Sequence, residues 1–468
     1  MSRFKTLLSD TAIYAAGEFG VRLITFLLVP FYTYVLTPAE YGAMDVILTL
    51  SQLVTIVISL DISYGVFRFL LESTEAETED ILSTTIVFLT IVTGIIVTLS
   101  IITLMYSGIV INYIYLIIIF YFVTIWNGFF NQVARGLNKI KIFIISGVAC
   151  SFFIGVLNVV LIGYFKMSYD GMLVANTIAL LIGTGIVVAT GGIYRYIIMA
   201  HKRFNKHTLL MLLKYTIPVT ASGVCWWGMT LSDRFFMQHF LGLDDVGIYA
   251  VAFRIASILI IINTIFDKAW KAVAIKEFSS ETSLEFYSKV FNNLMRLQLL
   301  VILLLTICLK YVIPHFIGGD FSIAWKYVGP LLISAMFWGF SVFLGTGYDC
   351  TKKMGGAFYT TLISAISSMA LNIILIPQFG IYGAVASSLI AYIILFAIRL
   401  RSTRHYFGIK IDYALLSGGL LLIITAYFIS IYLAGYLACL INISLLLLYL
   451  FINRTFIFEM QRRIKFNA

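Results

Sequence analysis

The sequence predicts an all-α polytopic membrane protein of about 14 transmembrane helices. These would form two six-helix lobes related by a pseudo-twofold along the membrane normal, plus two extra C-terminal helices. Three observations predict it. Of 468 residues, 61% are hydrophobic and 12% charged, against about 45–50% and about 25% in soluble domains. Apolar runs long enough to cross about 30 Å of hydrocarbon follow one another along the whole chain. Lysine and arginine gather on alternate connections between those runs. Such a composition excludes a soluble enzyme, a disulfide scaffold and a disordered chain.

Taken in order, runs bounded by polar residues place spans at 11–36, 41–67, 82–106, 113–134, 142–165, 171–194 and 212–238. The rest fall at 245–267, 290–313, 327–349, 356–377, 382–399, 413–432 and 435–453. The opening MSRFK leads into a long span with no small-residue cleavage site, which predicts a first transmembrane helix and not a cleaved signal. Of the 32 Lys and Arg residues, only Lys166, Lys310 and Lys326 fall on one side, and Arg22, Arg234, Arg254 and Arg296 fall within spans. All the others share the opposite side. That bias predicts both termini in the cytoplasm, and it accounts for the net charge of +10 by an anionic leaflet, without nucleic acid.

Two internal echoes support the lobes. LTPAEYG at 36–42 faces LGLDDVG at 241–247, and LNVVLI at 157–162 faces LNIILI at 371–376, followed by Gly171 and Gly383. Six spans separate the copies, so both would point the same way through the membrane, as in parallel-repeat transporters. The expected domains are 1–207 (spans 1–6), 208–407 (spans 7–12) and 408–468 (spans 13–14 with a cytoplasmic tail).

No catalytic, nucleotide or metal signature is present. There is no Walker motif, no GxGxxG, no HxxxH and no CxxC, and four of the five cysteines lie inside apolar runs. No cofactor, metal or enzymatic activity is expected.

The informative groups are ionisable residues inside spans, which are costly there and face a bundle interior or an aqueous cavity. Tyr14, Glu18 and Arg22 share one face of span 1, with Arg22 about 16 Å into the helix. Arg254 lies at mid-depth in span 8. Two central arginines would make a cationic cavity; alternatively, Glu18 neutralises Arg22 and both knit helices together. Asp233 and Arg234 lie toward the outer end of span 7, about 100° apart on the helix, so they need not pair with each other. Asp61 shares a face of span 2 with Tyr64 and Arg68, the last placed to snorkel at the cytoplasmic interface. Thirty-eight Phe and 28 Tyr residues would suit a glycan as well as interfacial girdles.

The stretch Tyr14–Arg68, with PFYTYVLTPAEYGAMDVILTL at 30–50 and GVFRF at 65–69, resembles the oligosaccharide flippases. These are the O-antigen, capsule and related polysaccharide exporters of the multidrug/oligosaccharidyl-lipid/polysaccharide superfamily. SDRFFMQHFLGLDDVGIYAVAFRIA at 232–256 and GGDFSIAWKYVGPLL at 318–332 extend the resemblance over the second half, and RGLNK at 135–139 fits its inner loops. It implies a bacterial inner-membrane protein moving an undecaprenyl-pyrophosphate-linked oligosaccharide to the outer leaflet by alternating access. Two lobes would rock about a central cavity, with spans 13 and 14 flanking a groove for the lipid tail. Arg22 and Arg254 match spans that carry cavity arginines in the related lipid II flippases. Arg68 sits too near its span's end and is a candidate cytoplasmic gate, with Arg234 as the substitute third cation. Asp61 and Asp233 are candidate ion-coupling groups, since without a nucleotide site the energy would come from a gradient of protons or sodium, the membrane potential or downstream consumption. Polymerase and ligase machinery would be the partners. The alternatives are a cation-coupled multidrug exporter of the same superfamily and a polytopic polysaccharide-synthesis enzyme.

Overall fold

The computed structural model describes residues 24–107, 113–200, 204–278, 283–351, 354–405, 407–433 and 435–454. Among them the chain is helical throughout, and no strand occurs. The helices are α1 (Ile24–Val35), α2 (Pro38–Ser59), α3 (Ile62–Leu70), α4 (Glu75–Ser107), α5 (Ile114–Gly136) and α6 (Ile140–Asn158). They continue with α7 (Tyr169–Thr190), α8 (Tyr194–Met199), α9 (Lys206–Thr230), α10 (Ser232–Phe240), α11 (Leu243–Glu277) and α12 (Ser283–Phe316). The last five are α13 (Trp325–Thr351), α14 (Met354–Phe379), α15 (Ile381–Thr403), α16 (Tyr413–Tyr432) and α17 (Tyr436–Ile452). Twelve segments of the described residues are long and apolar enough to cross a membrane, and α1 and α17 are shorter apolar helices. The expected all-helical membrane fold is what the chain adopts.

Contacts divide the chain into two compact units, Met1–Trp227 and Gly228–Ala468. In the first, α3, α4 and α5 bury Val66, Leu82, Leu89, Phe129 and Val133 against one another. Only 22% of the apolar stretch of α4 is buried, so the rest of its uniformly hydrophobic surface is left for lipid. In the second, α13 is central, with 72% of its apolar stretch buried, and α11 and α15 pack along it.

The sequence echoes occupy matching places. LTPAEYG opens α2 with a capping box: Thr37 Oγ1 accepts from the Glu40 amide at 3.3 Å, and Glu40 Oε2 accepts from the Thr37 amide at 2.8 Å. Pro38, at the first helical position, needs no hydrogen-bond acceptor there. LGLDDVG likewise opens α11, with Gly242 at φ 107° and Asp244 and Asp245 in the first turn. Asn158 and Asn372 are both fully buried. Gly171 and Gly383 both begin helices that press on the one before; a Cβ at 383 would stand 2.2 Å from the Leu375 carbonyl oxygen.

Three expected spans are not single helices. Span 2 breaks between α2 and α3, where Leu60 and Asp61 both take left-handed backbone angles (φ 48° and 50°). Asp61 therefore precedes α3, and the helical spacing that put it on one face with Tyr64 and Arg68 does not apply. Span 5 relaxes into a π-helical stretch, Val159–Tyr164. Span 7 ends at Thr230, and Asp233 and Arg234 belong to the next helix, α10.

In the second unit the connection after α15 is strapped to α12. Phe407 is fully buried against Tyr287, ring centroids 4.4 Å apart. Asn292 donates to the Lys410 carbonyl at 2.9 Å and accepts from the Asp412 amide at 3.0 Å, while Ser288 Oγ accepts from the Lys410 amide at 2.9 Å. Tyr449 of α17 donates to the Arg296 carbonyl at 2.7 Å, so α17 is also fixed to α12.

Candidate functional site

Tyr14, Glu18 and Arg22 lie outside the described residues. The remaining candidate groups fall in one unit or the other, and each is taken within its own.

In the first unit, Asp61 is half-buried at the α2–α3 break. Its amide donates to the Ile56 carbonyl at 3.2 Å and its carbonyl accepts from the Tyr64 amide at 2.9 Å, so the break is itself hydrogen-bonded. Gly223 of α9 lies close by: a Cβ there would come within 3.5 Å of Asp61 Oδ2. Arg68 is exposed at the end of α3 and pairs with Glu72 at 2.8 Å, one turn on. Arg135, assigned by sequence to an inner loop, is instead partly buried on α5, with its guanidinium 4.6 Å from the Phe67 ring and 5.6 Å from the Phe143 ring. A loop position at a helix end gives no sequence signal for that burial.

In the second unit, Asp233 and Arg234 are each 3% exposed. They do pair: Arg234 Nη1 donates to Asp233 Oδ1 at 2.7 Å and to the Thr230 carbonyl at 3.3 Å. The Arg234 amide donates to the same Oδ1 at 2.9 Å, and the Tyr249 hydroxyl donates to Oδ2. The guanidinium also lies 5.0 Å from the Tyr249 ring and 4.1 Å from the Phe253 ring. Adjacent Cβ atoms do diverge on a helix, but the long arginine side chain curls back across that angle. The carboxylate, in the first turn of α10, meets the positive end of the helix dipole. Through Asp233 and Tyr249 this buried knot joins α10 to α11.

Arg254, next to Phe253, is partly buried about 16 Å along α11. The Ser257 hydroxyl donates to its carbonyl at 2.6 Å. Arg399, which sequence placed at the cytoplasmic edge, is drawn inward among α13, α14 and α15. Its guanidinium donates to the Ser341 carbonyl at 2.8 Å and to the Thr360 and Thr361 hydroxyls at 3.2 and 3.1 Å. What these groups can do chemically is hold an anion at arginine and move a cation or proton at a carboxylate. Among the described residues no group of His, Cys, Asp and Glu could hold a metal ion.

The family model for polysaccharide biosynthesis proteins matches residues 7–271. Over 219 residues the chain is 22% identical to a probable low-salt glycan biosynthesis flippase, Agl15, of Haloferax volcanii. That match covers 45% of this chain and 44% of the relative, so it spans less than half of the relative's length. In three dimensions the chain is similar to the lipid II flippase MurJ in its inward closed conformation, with a TM-score of 0.71 and 16% identity, over 95% of this chain and 100% of that one. An inward-facing multidrug resistance transporter of the MATE family, in the MOP superfamily, gives 0.67 and 14% over 84% and 98%. These structural likenesses show a shared fold.

Proposed function

The chain belongs to the family of polysaccharide biosynthesis proteins, and on that premise we propose that it is a flippase for a lipid-linked oligosaccharide. Its cargo in this reading is an undecaprenyl-pyrophosphate-linked repeat unit, of O-antigen or capsule type, moved from the inner to the outer leaflet of a bacterial inner membrane. The observation that carries the reading is the family match, which extends over more than half of the chain. The glycan flippase among its relatives and the lipid II flippase among its structural neighbours support it.

The chemistry agrees. A glycan head cannot cross hydrocarbon alone, because its hydroxyls would lose their hydrogen bonds to water. A pyrophosphate suits arginine, whose planar fork binds phosphate oxygens in pairs. Arg22 and Arg254 are the residues we assign to it. Arg234, closed in by Asp233, Tyr249 and Phe253, acts in packing, and Arg68 with Glu72 remains the candidate gate at the cytoplasmic side. Glycan polymerase and ligase machinery would act on the delivered unit.

The test is deletion of the gene in its own host. Cells lacking the protein should lose a surface glycan and accumulate its lipid-linked precursor on the cytoplasmic leaflet, and a plasmid copy should reverse both. Unchanged surface glycans and no precursor accumulation in the deletion strain would overturn the reading.

A further inference from the structure

In the second unit, α11 and α15 both pack along α13, and charged side chains from all three come together near the ends of α13 and α15. We propose that Asp267 is a proton-binding group, forming with Lys271, Asp349 and Arg399 the site at which this flippase couples transport to a proton gradient. The proposal rests on the flippase reading for its purpose, though not for its geometry.

Lys271 Nζ lies 3.2 Å from Asp267 Oδ2, one turn back on α11, and 3.7 Å from Asp349 Oδ2 on α13. One ammonium thus serves two carboxylates on two helices. Arg399 reaches in from α15, yet its donors end on the Ser341 carbonyl and the Thr360 and Thr361 hydroxyls, and it balances the carboxylates only through space. Asp267 Oδ1 is shut off from solvent and accepts no hydrogen bond. Lys271 and Asp349, by contrast, are 43% and 29% exposed. The cluster is open at one end and sealed at the other, with the unsatisfied oxygen at the sealed end. Close by, Trp270 stacks on Phe343 at 4.3 Å, with Phe266 alongside. From α12 comes Tyr287, whose hydroxyl donates to the Ala274 carbonyl.

The step is simple to balance. A hydronium ion gives its proton to the Asp267 carboxylate from the open side and leaves as water, and the cluster passes from two anions and two cations to one anion and two cations. Lys271 then loses its partner on α11 and is held by Asp349 on α13 alone. Protonation therefore changes the grip between two helices of one unit, which is what a coupling site must do. Sequence reasoning looked to Asp61 and Asp233 instead; the internal partners of Asp233 leave it no comparable open oxygen.

The full-length protein, reconstituted in lipid nanodiscs, is titrated by pH-difference infrared spectroscopy. The wild type should gain a protonated-carboxyl C=O band on acidification, and Asp267→Asn should lose it. Removing the cation in Lys271→Met should move the band's midpoint to higher pH, because the charged carboxylate loses its partner. Asp349→Asn should move it lower, because a like charge is gone. In cells, Asp267→Asn should accumulate lipid-linked glycan although inserted, and Asp267→Glu should restore export. An unchanged band in Asp267→Asn would overturn the assignment. So would a titration that sodium displaces at constant pH while choline does not, which would point to a metal cation. Failure of the deletion test would sink the flippase reading while leaving the infrared titration standing.

Discussion

Asp233 and Arg234 show how a membrane protein tolerates charge at 3% exposure: each takes most of its partners from the other and from Tyr249 and Thr230. Removing one member strands the other, at a cost of about 3–5 kcal/mol. Asp233→Asn and Arg234→Ala should therefore each lower the apparent melting temperature in detergent markedly. The double variant Asp233→Asn with Arg234→Met should lose less than the two single losses combined, because the buried pair is removed together. Arg254 calls for the opposite test. If it binds the pyrophosphate, Arg254→Ala should leave folding intact and cut affinity for a pyrophosphate-bearing lipid about ten- to a hundredfold, from charge-assisted hydrogen bonds of about 1.5–3 kcal/mol. Arg254→Lys keeps the charge without the fork and should retain part of the activity. Binding measured on detergent-purified protein, with export followed in cells, distinguishes the two residues.

Among the elements, α14 and α15 approach each other closely. The backbone at Gly383 approaches so closely that a Cβ would stand 2.2 Å from the Leu375 oxygen, which is main chain and cannot swing aside. Gly383→Ala should cost about 1–3 kcal/mol or more, whereas Gly94→Ala, with nothing within 4 Å, should be silent. Thermal melting of the two variants side by side checks this. The strap after α15 is held differently, by polar bonds to Ser288 and Asn292. Asn292→Ala removes two of them, at about 1 kcal/mol each, and should speed trypsin cleavage after Lys410 about five- to thirtyfold without unfolding the helices. Cleavage at the wild-type rate would show that Phe407, buried among aromatic rings, is the real fastening.

For the whole molecule, the basic residues predict that accessibility reporters at 207 and 352 read as cytoplasmic and those at 168 and 320 as external. A cytoplasmic reading at 320 would break the parallel repeat. Much of this architecture was legible in the sequence because a bilayer imposes its own code. Each crossing needs an apolar run of fixed length whose backbone bonds are satisfied within the helix, so composition alone reports an all-helical membrane fold and where most of its apolar segments run. The same holds for the motif LTPAEYG, whose Thr37, Pro38 and Glu40 write a helix start in local chemistry. What periodicity could not report is where a helix breaks. Leu60 and Asp61 turn left-handed inside an apolar run; aspartate tolerates that region, but leucine gives no sign of it. Nor could it report partners. Arg135 and Arg399 look like ordinary interfacial basics until packing buries them against rings, hydroxyls and a carbonyl. Asp233 and Arg234, neighbours in sequence, pair with each other and are packed by Tyr249 and Phe253 of the next helix. Lys271 stands between Asp267 and Asp349, 78 positions further along, because α11 and α13 lie side by side. The sequence by itself determined the helices, their solvent and the family. Only the tertiary structure decided which charges are spent on one another, because a charge in hydrocarbon is defined by its neighbours, and those come from distant parts of the chain.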